Sequence, residues 1–168
     1  MKKRLTIIQM DVHVNDVEYN YTRVQELLSQ SLSERPDIIV LPETWNTGFY
    51  PSKELINIAD RNGERTQSLL SAFAKEHNVN IVGGSVAVAK NDVVFNTSYA
   101  YNREGTLVGE YSKMHGFSPA KEDQYFAGGT HTTHFELDGI PCSTVICYDI
   151  RFPELVRMAA LPNTELLF

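Results

Sequence analysis

The segment Ile140–Ala160, IPCSTVICYDIRFPELVRMAA, carries the signal from which the fold is read. Cys142–Ile146 is short, apolar and β-branched, with Asp138-Gly139 before it, which suits a buried strand. Pro153 stands where the first turn of a helix tolerates a missing N–H, and Leu155, Val156, Met158 and Ala159 follow. Cys147 falls at the junction, just ahead of the positive end of that helix dipole, where a thiol is expected to have a depressed pKa. The backbone N–H of Tyr148 is then free to face an oxyanion. Taken alone, Cys147 reads equally well as a small buried hydrophobe.

Working outward, the 168 residues suffice for one domain with a proper core, so 1–168 is read as a single domain. The net charge of −6 argues against nucleic acid or an anionic membrane as partner. The start, MKKRLTIIQMD, is basic like a leader, but its apolar run Leu5–Ile8 is too short for one and no cleavage site follows. No stretch approaches a membrane span. Cys142 and Cys147 are five apart, an odd separation that puts them on opposite faces and disfavours a mutual disulfide; a reducing, cytoplasmic setting is expected. A redox pair is disfavoured for the same reason, because the spacing is not C-x-x-C. His131 and His134, three apart on or beside a strand, point to opposite faces, so no metal site is expected, and no cofactor.

Toward the N-terminus, Leu5–Met10 reads as a first strand. Asn15 is placed to cap a helix bearing Val17, Tyr21, Val24 and Leu28 on one face, with Glu18 set for a capping box. Ile38–Leu41 is a continuous apolar run, as in a strand buried on both faces, and it stops at Pro42-Glu43. A carboxylate there is either solvated or used. The aromatic-rich loop with Trp45 either lines a pocket or covers a core. A helix over 66–77 and a strand over 81–88 come next. That strand turns at Lys90-Asn91-Asp92 into one over 93–101, and 107–111 returns as another. Thr132–Leu137 and Ile140–Ile146 form a hairpin around Asp138-Gly139. The order gives an α/β layered domain with a mixed sheet.

Glu43, Lys113 and Cys147 all stand at or just past the C-terminal end of a strand, the edge where open α/β sheets bind ligands. A thiol, a carboxylate and an ammonium converging on one point suit acyl transfer. The thiolate attacks a carbonyl or nitrile carbon, Glu43 takes and returns the protons, and Lys113 beside the Tyr148 N–H steadies the oxyanion.

LPETWNTGF (Leu41–Phe49), YSKMHGFSP (Tyr111–Pro119) and STVICYDIRFPEL (Ser143–Leu155) resemble, in order and spacing, the glutamate, lysine and cysteine motifs of the nitrilase superfamily. These are the carbon–nitrogen hydrolases. The resemblance implies an α-β-β-α sandwich with mixed sheets, and a hydrolase that cleaves a small amide through a cysteine thioester and releases ammonia. It makes Glu43 the general base, Lys113 the oxyanion stabiliser and Cys147 the nucleophile. Glu122 matches a second glutamate that holds the lysine. CYDIRFPEL is similar to the omega-amidase branch, whose members act on ω-amides of dicarboxylic acids. Tyr50 and Phe117 then line an acyl pocket or pack in the core. Arg151 holds a substrate carboxylate or, the preferred reading, forms a structural ion pair within the elbow.

Such a sandwich is expected to need roughly 200–250 residues, so the resemblance implies the N-terminal two-thirds of the fold, incomplete at the C-terminus. Inner-face positions such as Val145 and 81–88 are then expected to lack cover. A homo-oligomer or a complementing chain is the expected remedy. The alternative function is a catalytically silent homologue serving as a binding or interaction module.

Overall fold

A computed structural model of the protein describes residues 2–161 and 163–168. Strand β1 (Leu5–Ile7) leads to helix α1 (Val17–Ser31), then to β2 (Ile38–Val40), the short helix α2 (Leu55–Ile58) and β3 (Asp60–Arg61). Helix α3 (Glu64–His77) precedes β4 (Asn80–Val82), β5 (Val86–Lys90), β6 (Val93–Tyr101) and β7 (Leu107–Ser112). The one-turn helix α4 (Glu122–Tyr125), β8 (His134–Leu137), β9 (Ile140–Ser143), helix α5 (Pro153–Ala160) and β10 (Leu166–Leu167) complete the order.

The first sheet is mixed: β1, β2 and β4 run parallel, and β4, β5 and β7 each meet β6 antiparallel. The second sheet is β10-β9-β8, with β10 parallel to β9. Successive residues of a strand face opposite sides, and here both sides are covered. In β2, Ile39 joins the core formed with Tyr21, Val24 and Leu28 of α1 and Leu70 and Phe73 of α3. Its neighbour Ile38 faces the other way, onto Phe135, Leu137 and Cys142 of the second sheet. That explains the unbroken apolar run, and it stacks the chain as helix, sheet, sheet, three layers of the expected sandwich. Each large aliphatic side chain buried this way contributes about 1.5–3 kcal/mol. Trp45 belongs to the helical core, with its Nε1–H donating to the Gly83 carbonyl oxygen at 2.9 Å, so this part of its loop covers a core, whereas Tyr50 further along is exposed.

Several boundaries depart from the sequence expectation. The strand foreseen over 81–88 is two strands, because Gly84 takes φ +58° and its α-carbon closes on the Leu41 and Pro42 carbonyls. Any Cβ there would meet Pro42 O at 1.9 Å. Ile81, Val82, Val86 and Val88 are buried between the layers, so the expected lack of cover over that stretch does not hold. Helix α1 is capped by Asp16, which accepts from Tyr19 N–H, not by Asn15, which sits at φ +63°. Glu18 takes no part in a capping box and pairs with Arg65 instead. Asp138 and Gly139 both have positive φ, as a two-residue hairpin turn requires, and Asn91 and Asp92 do the same for β5–β6.

Candidate active site

Glu43 follows β2 on a segment tied to the β4–β5 bend: Leu41 N–H donates to Val82 O, Thr44 N–H to Ser85 Oγ and Trp45 N–H to Ser85 O. Lys113 follows β7, with its own N–H donating to Asn96 O on β6. Its side chain is 4% exposed, and the ammonium Nζ donates to Glu43 Oε1 and to Glu122 Oε2, both at 2.7 Å. Glu122 is 1% exposed, and the same Oε2 accepts the Phe117 N–H at 2.6 Å. Desolvation opposes the charge on Lys113, but the hydrogen bonds and charges of the two carboxylates outweigh it and leave its pKa above the ordinary value.

Cys147 lines a cavity of about 130 Å³ together with Glu43, Gly84 and Ser85 at these strand ends. The expected position of the thiol needs correction. Strand β9 ends at Ser143, and a 3-10 turn, Cys147–Arg151, separates the cysteine from α5. Cys147 therefore lacks the dipole of α5 at close range, and it adopts φ +49°. The depressed pKa does not hold either. Desolvation, then the charge and hydrogen bonding of Glu43, push the thiol up to about 11, against a smaller lowering by Lys113. Charge balance adds to the burial: one ammonium already serves two carboxylates, and a thiolate would add a second net negative charge. At neutral pH the thiol therefore keeps its proton.

Tyr148 is the second residue of the 3-10 turn, where an N–H precedes the first in-turn acceptor; the next N–H, of Asp149, closes on Ile146 O. Phe117 meets Tyr148 edge-on at 5.1 Å between ring centroids, and Phe49 links Phe117 to Tyr50. Tyr50, 66% exposed, stands at the outer end of this aromatic row. Arg151 is exposed and takes no carboxylate partner among the described residues, so the structural ion pair preferred from sequence does not form.

Two residues escaped the sequence reading. Asn96 donates from Nδ2 to Glu43 Oε1 at 3.1 Å, orienting that carboxylate toward Lys113. Asp149 is fully buried and accepts from Tyr111, His115 and Ile146. The signal for Asn96 was a polar run, Asn96-Thr97-Ser98, within an otherwise apolar strand; for Asp149 it was an acid two residues past the cysteine.

A carboxylate–ammonium–carboxylate cluster thus stands beside a thiol at the strand ends of a mixed α/β sandwich. The chain belongs to the carbon–nitrogen hydrolase family, within the nitrilase superfamily, and the family model matches residues 4–168. It is 40% identical over 168 residues to 2-oxoglutaramate amidase of Bacillus subtilis (strain 168), and 33% identical over 178 to an omega-amidase of Danio rerio. Those alignments take in 100% and 99% of this chain, which spans 64% and 62% of the two relatives. Among solved structures it is similar to an amidase from Nesterenkonia sp. AN1 in complex with butyramide. That match has a TM-score of 0.86 and 20% identity, covering 98% of this chain and 63% of that one. It is also similar to a CN-hydrolase superfamily protein of Xanthomonas campestris with an arsenic adduct in its active site. There the TM-score is 0.80 at 29% identity, covering 90% and 56%.

Access separates the two thiols where pKa does not. Burial pushes Cys142 up to about 11 as well, but Cys142 is buried in the inter-sheet core whereas Cys147 is exposed beside a base. A sub-stoichiometric alkylating agent followed by peptide mapping is expected to label Cys147 first, by at least about tenfold. Preferential labelling of Cys142 would overturn the placement of the elbow.

Proposed function

We infer that the chain carries the catalytic centre of an amidase that hydrolyses a small amide through a thioester on Cys147. The observation that carries this reading is the Lys113 ammonium 2.7 Å from both Glu43 and Glu122, with the Cys147 thiol under the influence of the same Glu43. Glu43 accepts the thiol proton as sulfur attacks the amide carbon. Negative charge grows on the carbonyl oxygen, where Lys113 and the Tyr148 N–H are the available donors. The carbon–nitrogen bond breaks as Glu43 returns the proton to the leaving nitrogen, and ammonia departs. Water then attacks the thioester, Glu43 takes its proton, and the acid leaves as the thiol re-forms. No step calls for a metal or an organic cofactor.

The relatives' names support an ω-amide of a dicarboxylic acid as substrate. Arg151, with no carboxylate partner among the described residues, is the cation proposed for the distal carboxylate, and Phe117 with Tyr50 is proposed to line the way to the sulfur. Ammonia release from such an amide, compared with an apolar amide of equal length, tests the reading. The ω-amide is expected to turn over faster, and a chain that releases ammonia from neither acts as the silent binding module instead.

Association belongs to the same reading, as a homo-oligomer or with a complementing chain. Ile150, Met158 and Leu161, on and beside α5, are all more than half exposed. Large apolar side chains left exposed in this way favour association. Analytical ultracentrifugation at low concentration is expected to show an assembly larger than one chain; a cooperatively melting monomer would refute it.

A further inference from the structure

Lys113 and Cys147 arrive from different sheets, so their separation depends on whatever joins the two segments. One buried carboxylate touches both segments on both sides of both residues. Asp149 Oδ2 accepts the Tyr111 O–H at 2.7 Å and the Ile146 N–H at 3.1 Å. Its Oδ1 accepts the His115 N–H at 2.9 Å and lies 2.9 Å from His115 Nδ1. Tyr111 and His115 flank Lys113 in the chain, and Ile146 and Asp149 flank Cys147. The His115 ring is held flat against Phe152, with centroids 3.6 Å apart and planes within 9°. A fully buried carboxylate is costly unless its oxygens are satisfied, and these donors satisfy both. Tyr111 stays a donor, because burial and then Asp149 hold its hydroxyl above the ordinary tyrosine range.

We propose that Asp149 is a positioning residue whose carboxylate clamps the segment carrying Lys113 to the turn carrying Cys147, fixing the ammonium's distance from the sulfur. The proposal rests on Lys113 and Cys147 being the reacting groups and adds what places them. The charged groups acting on the thiol are Glu43 and Glu122, which raise its pKa, and Lys113, which lowers it. A loosened clamp lets the ammonium drift, the carboxylates prevail, and less thiolate is present at any given pH.

The test is the rate of Cys147 alkylation by iodoacetamide across pH in the parent, Asp149→Asn and Tyr111→Phe, with circular dichroism to report on folding. Tyr111→Phe removes one donor with little change of shape. In Asp149→Asn the midpoint of the profile is expected to rise by about one pH unit, making alkylation roughly tenfold slower at neutral pH. Tyr111→Phe is expected to shift it less, in the same direction. Folded variants that melt earlier yet keep the parent's profile would show a purely structural carboxylate and overturn the proposal. If Asp149→Asn does not fold, Tyr111→Phe decides by the same criterion. Failure of the amidase reading looks different: the parent then releases no ammonia, while the alkylation profiles still decide the clamp.

Discussion

Replacing Cys147 with alanine is expected to lower ammonia release from a small amide by at least about a thousandfold, with the fold intact. In the proposed mechanism the nucleophile is the one group that nothing else in the cluster can replace, since there Glu43 and Lys113 only move protons and steady charge. Loss of a nucleophile in comparable triads costs more than this, and a thousandfold corresponds to about 4 kcal/mol of transition-state stabilisation. Cys147 is exposed, and an alanine at its φ of +49° meets the same backbone strain as cysteine, so packing changes little. Ammonia release and thermal melting, measured on the same preparation, check both halves. Release at the parent's rate would remove Cys147 from the mechanism.

Lys113→Met is expected to cost both activity and stability. The ammonium is the only cation bonded to Glu43 Oε1 and Glu122 Oε2 among the described residues, and it is almost fully buried. A methionine of similar length leaves two carboxylates facing each other with Glu122 sealed from water. Breaking a buried pair in this way costs about 3–5 kcal/mol. The pH dependence follows from the raised pKa of Lys113. Its stabilisation is fully present below the ordinary lysine value, about 10.4, and is lost as pH rises through the higher value of the folded state. The share of the parent's advantage over Lys113→Met in denaturant melts that comes from the lysine's own charge is therefore expected to stay level through neutral pH and to be lost as pH rises through that higher lysine value. A variant as stable as the parent at neutral pH would contradict the buried pairing.

The sequence revealed the parts that depend on local pattern and spacing. A run such as Ile38-Ile39-Val40 is legible as a strand buried on both faces because each residue is apolar, and Glu43 stands out as the charge that ends it. Lys113 and Cys147 were legible by position, as polar residues just past the ends of expected strands. What stayed hidden depends on through-space balance. The split at Gly84 follows from contact with the Leu41 and Pro42 carbonyls, distant in sequence. The raised pKa of Cys147 follows first from desolvation and then from Glu43 arriving from another strand end, whereas the sequence shows only the helix that follows the cysteine. Asn96 and Asp149 were missed because each acts by hydrogen bonds to segments tens of residues away.

In the proposed reaction the acyl group of an amide passes through the sulfur of Cys147. Rapid acid quenching of the chain during turnover of a small ω-amide, followed by peptide mass mapping, tests it most directly. The expected result is an acyl adduct on the Cys147 sulfur that disappears in Cys147→Ala, with Cys142 unmodified. Steady ammonia release with no adduct at any quench time, or an adduct carried by Cys142, would contradict it.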